Sequence, residues 1–249
     1  MVIDLEKCIG CHACAVACKA EWDVPADKGR NWVKRLGPSN TPHGLASTYY
    51  PGLCNHCDQP ACVAVCPADP VAMTFTEAGT GKTKTMEVAA TWKDPFDGTV
   101  QIDKERCLGC GACADACPYS ARYVNPALGE DGKADKCTFC VERVAAGLEP
   151  ACVQTCLAGA RIFGDLNDPK SEVAKYVKKG AVKMESDAVK IGPNVRYFGN
   201  RRDLHLLTES STPQVMPEAS MRRIMMAKML RPLTKKAGTK NGLLGILTG

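Results

Sequence analysis

Residues 107–118 read CLGCGACADACP, with cysteines at positions 107, 110, 113 and 117. The spacing is C-x2-C-x2-C-x3-C, and Pro118 directly follows the last cysteine. Residues 8–18, CIGCHACAVAC, have the same spacing. Three closely spaced thiolates on a tight loop can reach three corners of a cubane iron–sulfur cluster, while a cysteine three residues further on binds a neighbouring cluster. The run therefore predicts a paired iron–sulfur site.

All sixteen cysteines of the chain fall into four groups of this kind. Group two, residues 54–67, reads CNHCDQPACVAVCP and widens the second gap, whereas group four has eleven residues between Cys140 and Cys152. Every group keeps the final x3 step. The groups are Cys8, Cys11, Cys14 and Cys18; Cys54, Cys57, Cys62 and Cys66; Cys107, Cys110, Cys113 and Cys117; and Cys137, Cys140, Cys152 and Cys156. Four thiolates hold one cubane, so the sequence predicts four [4Fe–4S] clusters and a role in electron transfer.

Two other uses of cysteine fit the sequence less well. A disulfide framework is typical of short chains without a core, whereas this chain has 249 residues and is 45% hydrophobic. Structural zinc sites use C-x2-C pairs, but a third closely spaced cysteine exceeds what such a pair needs. A zinc-stapled interaction module stays the alternative from a different class. His12 and His56 lie in loops already complete in thiolates, and we expect them to tune potentials or face solvent.

The charge is concentrated at the C-terminal end. The net charge is +5, and seven basic residues but no acidic ones follow Ser220. These basic residues are Arg222, Arg223, Lys228, Arg231, Lys235, Lys236 and Lys240. The rest of the chain is nearly neutral, which argues against a nucleic-acid partner. Met1 leads almost directly into the first cysteine group, and no apolar stretch is long enough to span a bilayer, so we expect no leader and no membrane anchor of the chain's own.

An internal repeat predicts the architecture. Residues 2–11 align with residues 101–110, and in both copies a short β segment leads into the cysteine loop, with an aspartate four residues before the first cysteine. We therefore predict an α+β fold of two interleaved bacterial-ferredoxin-like units, each holding two [4Fe–4S] clusters, with long loops and a C-terminal extension. The predicted boundaries are 1–53 with 130–210 for groups one and four, 54–129 for groups two and three, and 211–249 for a cationic tail docking on a partner or membrane surface.

Local patterns predict the elements between the groups. Residues 20–53 are rich in glycine and proline and are expected to be loop-like, whereas residues 71–100 are expected to form a hairpin with an insertion. A helix is predicted over 171–179, with Ser171 as its cap and Gly180 at its end. A second helix is predicted over 221–230, packing on the protein's own body or docking onto a partner subunit or the membrane surface.

The chain resembles the four-cluster subunit of membrane-bound molybdopterin oxidoreductases, the family of polysulfide, tetrathionate and dimethyl sulfoxide reductases. The resemblance rests on the first three cysteine groups and on residues 134–156, ADKCTFCVERVAAGLEPACVQTC, continued by GARIFGDLNDP in residues 159–169. In some related subunits the second cysteine of group three is a tryptophan; here it is Cys110, which favours four cubanes. The insertion near residues 77–95 and the tail after residue 210 depart from the family pattern.

The resemblance implies how the cysteines are shared among clusters. Cluster one would use Cys8, Cys11, Cys14 and Cys156, and cluster two Cys54, Cys57, Cys62 and Cys117. Cluster three would use Cys107, Cys110, Cys113 and Cys66, and cluster four Cys137, Cys140, Cys152 and Cys18. The chain would be non-catalytic by itself and would have no small-molecule substrate of its own.

The resemblance also implies two partners. A molybdenum- or tungsten-pterin subunit would act on the substrate, and an integral-membrane subunit would exchange electrons with quinone. The chain would then be a peripheral membrane protein held through these subunits, with the cationic tail favouring the cytoplasmic face and co-export to the periplasm as the other location. A polyferredoxin-type subunit of a formate dehydrogenase or hydrogenase stays an alternative.

Overall fold

The computed structural model describes residues 1–237, and the side chains of residues 1–229. These residues form a mixed α/β protein of two compact units. Unit 1 contains residues 1–60, 118–122 and 136–216; unit 2 contains residues 61–117, 123–135 and 217–237. Compared with the sequence-based boundaries, Cys54 and Cys57 fall in the same unit as groups one and four, and residues 217–237 belong to unit 2.

The strands are β1 Val2–Asp4, β2 Asn31–Thr41, β3 Gly44–Leu53, β4 Val71–Thr76, β5 Thr83–Val88, β6 Thr91–Lys93, β7 Val100–Ile102, β8 Tyr123–Asn125, β9 Lys133–Asp135, β10 Arg161–Ile162, β11 Val182–Lys183 and β12 Arg196–Phe198. The helices are α1 Ala13–Trp22, α2 Ala61–Ala64, α3 Ala112–Asp115, α4 Val141–Ala145, α5 Ala151–Gln154, α6 Glu172–Lys178, α7 Arg201–Ser211 and α8 Met221–Ala237. Both predicted short strands before a cysteine loop are present, as β1 and β7.

The centre of unit 1 is a four-stranded sheet in the order β10-β1-β12-β11. β1 pairs antiparallel with β10, with Val2 opposite Ile162, and parallel with β12, with Val2 opposite Arg196. Val2 and Ile3 are completely buried, because β1 is central in the sheet and covered on both faces. The strand that leads into group one is thus fixed in the core.

Residues 20–53 are not loop-like as predicted. α1 continues to Trp22, and β2 and β3 form a long antiparallel hairpin from Asn31 opposite Leu53 to Thr41 opposite Gly44. Among the glycines and prolines that suggested a loop, Gly37 and Pro38 lie at an irregularity in the pairing, where Gly37 has a φ of 78°. The prediction failed because these residues bend the strand without ending it.

Two further helices complete unit 1. The predicted helix over 171–179 is confirmed as α6: the Ser171 hydroxyl accepts a hydrogen bond from the Ala174 amide at 3.2 Å, and Gly180 follows with a φ of 98°. α7 was not predicted. Its cap is Asn200, whose side-chain oxygen accepts from the Asp203 amide at 3.0 Å, and it buries Leu207.

Unit 2 consists of hairpins around a small core. β4 pairs with β5, β6 with β7, and β8 with β9, so the hairpin predicted over residues 71–100 is present as β4–β5. Its core combines small residues with cysteines of group three: Ala68, Ala90, Cys107, Cys113 and Ala134. Small side chains leave room for the backbone to approach a cofactor.

The C-terminal helix α8 begins at Met221, as predicted, and extends beyond Leu230. Arg223 forms an ion pair with Asp115 at 2.7 Å within unit 2. The side chains of Arg231, Lys235 and Lys236, and all of Lys240, lie outside the described residues, so the predicted cationic tail is described only in part. Within residues 1–237, no helix combines the length and apolarity needed to cross a membrane.

Candidate iron–sulfur sites

The two copies of the internal repeat enter their cysteine loops through the same turn. The amide of Cys8 donates to the carbonyl oxygen of Asp4 at 3.2 Å, and the amide of Cys107 donates to that of Asp103 at 3.1 Å. Each aspartate side chain also accepts from the amide two residues later, at 3.0 Å in the first copy and 2.9 Å in the second. The aspartate seen in the sequence repeat is therefore the residue that shapes the turn.

The residue before the second cysteine has a positive φ in all four groups. The φ values are 68° at Gly10, 44° at His56, 65° at Gly109 and 58° at Phe139. A Cβ at Gly109 would lie 2.5 Å from the carbonyl oxygen of Gly132, and one at Gly10 would lie 2.3 Å from the ring of Tyr49. Groups one and three therefore need glycine for space and conformation, while groups two and four hold an aromatic residue in the same strained conformation.

The two histidines within cysteine loops have different surroundings. His12 is exposed, and its φ of 61° places it in the left-handed N-cap position of α1. His56 is 1% exposed, and its ring stacks on that of Phe139. His12 therefore faces solvent, whereas His56 is buried because the fold of unit 1 brings the loops of groups two and four together, and tuning of a cluster potential stays the expectation for His56.

Two cavities in unit 1 are each lined by four cysteines. The first is lined by Cys8, Cys11, Cys14 and Cys156. The second is lined by Cys18, Cys137, Cys140 and Cys152. The structure thus brings together the two sets that the resemblance implies for clusters one and four, including the exchange of the last cysteine between groups one and four.

Hydrogen-bond donors point at the sulfur atoms of these cysteines. The Ala160 amide lies 3.2 Å from Cys156 Sγ, and the Phe139 amide lies 3.4 Å from Cys137 Sγ. The indole Nε1 of Trp22 donates to Cys140 Sγ at 3.3 Å. Donors to ligand sulfur hold thiolates in place and tune the potential of an iron–sulfur cluster.

Burial makes ionised thiols unfavourable here unless a cation binds them. Burial, with a smaller contribution from the nearby Cys152 thiol, raises the pKa of Cys18 to about 12. Burial also raises the pKa of Cys137 well above its ordinary value. Iron ions supply the positive charge that keeps such thiolates deprotonated. Three features fit [4Fe–4S] clusters: the ligand atoms are all thiol sulfurs, glycines let the backbone of groups one and three come close, and N–H groups donate to the sulfurs.

Unit 2 places Cys66 with group three. Cys62 and Cys66 pack against the core that contains Cys107 and Cys113. Burial raises the pKa of Cys110, and the thiols of Cys113 and Cys66 contribute to the rise, so Cys66 lies near group three. The Ala134 amide donates to Cys107 Sγ at 3.3 Å. This agrees with the set implied for cluster three.

The set implied for cluster two is divided between the units. Cys54 and Cys57 belong to unit 1, and Cys62 and Cys117 belong to unit 2. Within unit 1, the Cys54 thiol is close enough to Cys137 to raise its pKa, after the larger effect of burial. The assignment of cluster two stays a prediction.

Family models and known relatives agree with this donor set. Residues 45–166 match a 4Fe–4S dicluster domain, and residues 1–20 match a 4Fe–4S binding domain. A tetrathionate reductase subunit of Salmonella typhimurium is 40% identical over 202 residues, which cover 80% of this chain and 71% of that protein. This protein belongs to the iron–sulfur subunits of sulfur-compound and oxyanion reductases.

Two other relatives of this iron–sulfur subunit point the same way. A polysulfide reductase subunit of Wolinella succinogenes is 35% identical over 81% of this chain and 94% of that protein. The thiosulfate reductase electron transfer subunit of Salmonella typhi is 38% identical over 76% of this chain and 85% of that protein. These relatives thus support the prediction of a non-catalytic electron-transfer subunit with 4Fe–4S clusters. They favour it over a hydrogenase or formate dehydrogenase subunit and over a zinc-stapled module.

One residue of this iron–sulfur subunit near the sites was not predicted. Arg161 lies in β10, is 4% exposed and lines the first cavity, while its Nη1 lies 3.8 Å from Cys152 Sγ of the second. The sequence signal was weak: a single arginine five residues after Cys156, within a segment that contributed only to the resemblance.

Proposed function

We propose that this chain holds four [4Fe–4S] clusters and relays electrons between a molybdenum- or tungsten-pterin catalytic subunit and a quinone-reactive membrane subunit. The complex would be respiratory and would act on a sulfur compound or a similar oxyanion. The observation that carries the proposal is the pair of four-cysteine cavities in unit 1, each combining cysteines from groups one and four. Relatives named as subunits of tetrathionate and polysulfide reductases supply the class of partner.

The proposed cluster sets follow from these cavities and from the family pattern. Clusters one and four are held in unit 1, and cluster three is held by Cys107, Cys110, Cys113 and Cys66. Cluster two is assigned to Cys54, Cys57, Cys62 and Cys117. We infer two interleaved ferredoxin-like units, because each unit is built from separated stretches of chain. The chain would join the membrane through its partners.

The chain's own residues have three tasks in this function. When bound, the clusters supply one-electron redox chemistry. The cysteines hold them, and amide and indole N–H groups such as that of Trp22 point at ligand sulfur. Burial of Cys18, Cys137 and Cys152 limits access of water to the sites. Each task serves electron transfer without a substrate-binding step.

Cysteine substitutions test the cluster sets. In the complex purified with its native partners, we expect about sixteen irons in this chain and one molybdenum or tungsten in the partner. Cys14→Ser and Cys18→Ser, in the same helix α1, are predicted to perturb the electron paramagnetic resonance signals of different clusters. Cys18→Ser should alter the same signal as Cys137→Ser, and Cys14→Ser the same one as Cys156→Ser.

Three outcomes would contradict the proposal. Loss of the same signal in Cys14→Ser and Cys18→Ser would show that group one binds a single cluster by itself. Zinc in place of iron in the native complex would remove the electron-transfer function. Full iron with a catalytic partner lacking a pterin metal would overturn the assignment of the partner.

A further inference from the structure

Arg161 lies between the two cysteine cavities of unit 1. Its backbone is fixed in β10, where Arg161 pairs with Ile3 of the central strand β1. The side chain lines the cavity of Cys8, Cys11, Cys14 and Cys156, and Nη1 reaches Cys152 Sγ of the other cavity at 3.8 Å. Nη1 also lies 4.0 Å from Met1 Sδ. A single guanidinium therefore faces both proposed cluster sites.

The guanidinium is buried without a full set of partners. Arg161 is 4% exposed, and within the described residues its Nη2 is buried and has no hydrogen-bond partner. A buried cation is costly unless an anion compensates it. Because the guanidinium lies in a region lined by cysteine thiols, anionic cluster sites are the compensation that the structure offers.

The charge of Arg161 acts on thiols from both cavities. Its Nη1 lies 3.8 Å from Cys152 Sγ of the second cavity, and its side chain lines the first cavity together with Cys8 and Cys14. An arginine guanidinium keeps its proton in folded proteins. Arg161 therefore stays positively charged beside both sites.

We propose that Arg161 is a shared positioning residue that raises the reduction potentials of clusters one and four together. Each one-electron reduction adds one negative charge to its site, and a fixed cation close by stabilises that charge. A charge-assisted hydrogen bond to Cys152 Sγ acts in the same direction at cluster four. The inference rests on the proposed cluster sets, and it makes these two clusters a matched pair for electron transfer.

The test is a redox titration of the native complex, followed by electron paramagnetic resonance. In Arg161→Met, two of four midpoint potentials should fall, each by at least a tenfold change in the reduction equilibrium, which is 59 mV for one electron. The other two should not change. Arg161→Lys keeps a cation and should recover most of the loss in both potentials.

A matched control uses an arginine close to the same cysteines. Arg143 follows Cys140 in α4, but its charge is paired with Glu21, with Nη1 3.0 Å from the carboxylate. Removing both members of this pair leaves the net charge beside the cysteines unchanged, so Arg143→Gln combined with Glu21→Gln should leave the four potentials close to those of the wild type. Iron content is measured in every variant.

The outcomes separate this inference from the proposed function. With iron content unchanged, no shift, or an equal shift of all four potentials, in Arg161→Met would overturn the inference. If Arg161→Met loses iron, the potentials of Arg161→Lys and Arg161→Gln are compared instead. Wild-type potentials in the lysine variant with two lowered potentials in the glutamine variant support the inference. Equal potentials in the two variants overturn it. Fewer than four clusters in the wild type would instead contradict the proposed function.

Discussion

The imidazole of His56 stacks face to face on the ring of Phe139, with ring centroids 3.8 Å apart and an interplanar angle of 16°. Both residues precede the second cysteine of their group, and both have a positive φ. Phe163 contacts Phe139 in an edge arrangement, with centroids 5.5 Å apart. The stack thus ties the loop of group two to the loop of group four within unit 1.

The stack predicts a coupling between the two loops. His56→Leu and Phe139→Leu should each accelerate the loss of visible cluster absorbance in denaturant. Expressed as free energies, the effect of the double variant on this rate should be smaller than the sum of the two single effects. An aromatic pair contributes about 0.5–1.5 kcal/mol beyond burial, equivalent to roughly a two- to twelvefold rate.

A pair from another unit provides the control for this cycle. Phe75 contacts Trp92 in unit 2, with centroids 6.4 Å apart. His56→Leu combined with Phe75→Leu should give additive effects, because the two residues share no contact partner. If the effects of His56→Leu and Phe139→Leu on the rate of cluster loss were also additive, the stack would not couple the loops.

His12 predicts a stabilising substitution. It occupies the left-handed N-cap of α1 with a φ of 61°, where the other repeat copy has Gly111 with a φ of 75°. A non-glycine residue in this conformation costs about 1 kcal/mol, so His12→Gly should raise the unfolding free energy by about that amount. The measurement is the guanidinium concentration at which the visible absorbance is half lost.

The adjacent Ala13 is the matched control for His12. It lies within α1, where glycine is less favourable than alanine by about 0.5–1 kcal/mol. Ala13→Gly should therefore lower the midpoint while His12→Gly raises it. A lowered midpoint in both variants would mean that the His12 side chain stabilises the loop by more than its backbone strain costs.

Asp103 predicts a pH-dependent effect in the turn before group three. Burial raises the pKa of Asp103, but hydrogen bonds from Arg106 and from backbone amides outweigh it, and the net pKa is lowered. A lowered folded-state pKa stabilises the protein above the ordinary value of about 3.9 and ceases to do so as the pH falls through the lowered value. Asp103→Asn should therefore accelerate cluster loss at neutral pH and match the wild type in acid.

The rate of cluster loss in the variant divided by that in the wild type, followed across pH, measures the stabilisation by the Asp103 carboxylate. Glu105→Gln serves as the control, because Glu105 lies in the same turn with an exposed side chain. Its ratio should stay near one at all pH values. A ratio for Asp103→Asn that does not fall toward one in acid would show that the carboxylate charge is not what stabilises the turn.

Cys18 predicts low reactivity after iron is removed by chelation. Its pKa of about 12, raised mainly by burial, leaves on the order of a thousandfold less thiolate at pH 8 than an ordinary cysteine has. Alkylation of Cys18 in the folded apoprotein should accelerate roughly tenfold per pH unit between about pH 8 and pH 11. Peptide mapping after timed alkylation measures this rate.

Accessibility and ionisation are separated by two comparisons. Cys11 is exposed and should be alkylated well before Cys18 in the folded apoprotein. In denaturant, Cys18 should react like any other cysteine of the chain. Equal rates for Cys18 in folded and denatured protein would show that the cavity does not persist without iron.

The local sequence determined the cofactor class, the turns that hold it and the helices α6 and α8. Cysteine spacing, the aspartate of the repeat, and the Ser171 cap act over a few residues, so their meaning can be read without the fold. The hairpin of β2 and β3 was missed because a bulge absorbs Gly37 within a strand. α7 was missed because its buried leucines are packed by a hairpin that the sequence did not predict.

Only the tertiary structure decided which residues meet across the chain. Pairing of Val2 with Ile162 aligns the start of the chain with β10 and brings Cys156 to Cys8 and Arg161 to both cavities. The stack of His56 on Phe139 arises in the same way. Such contacts join residues far apart in sequence and depend on strand pairing and burial, which spacing within a single loop does not encode.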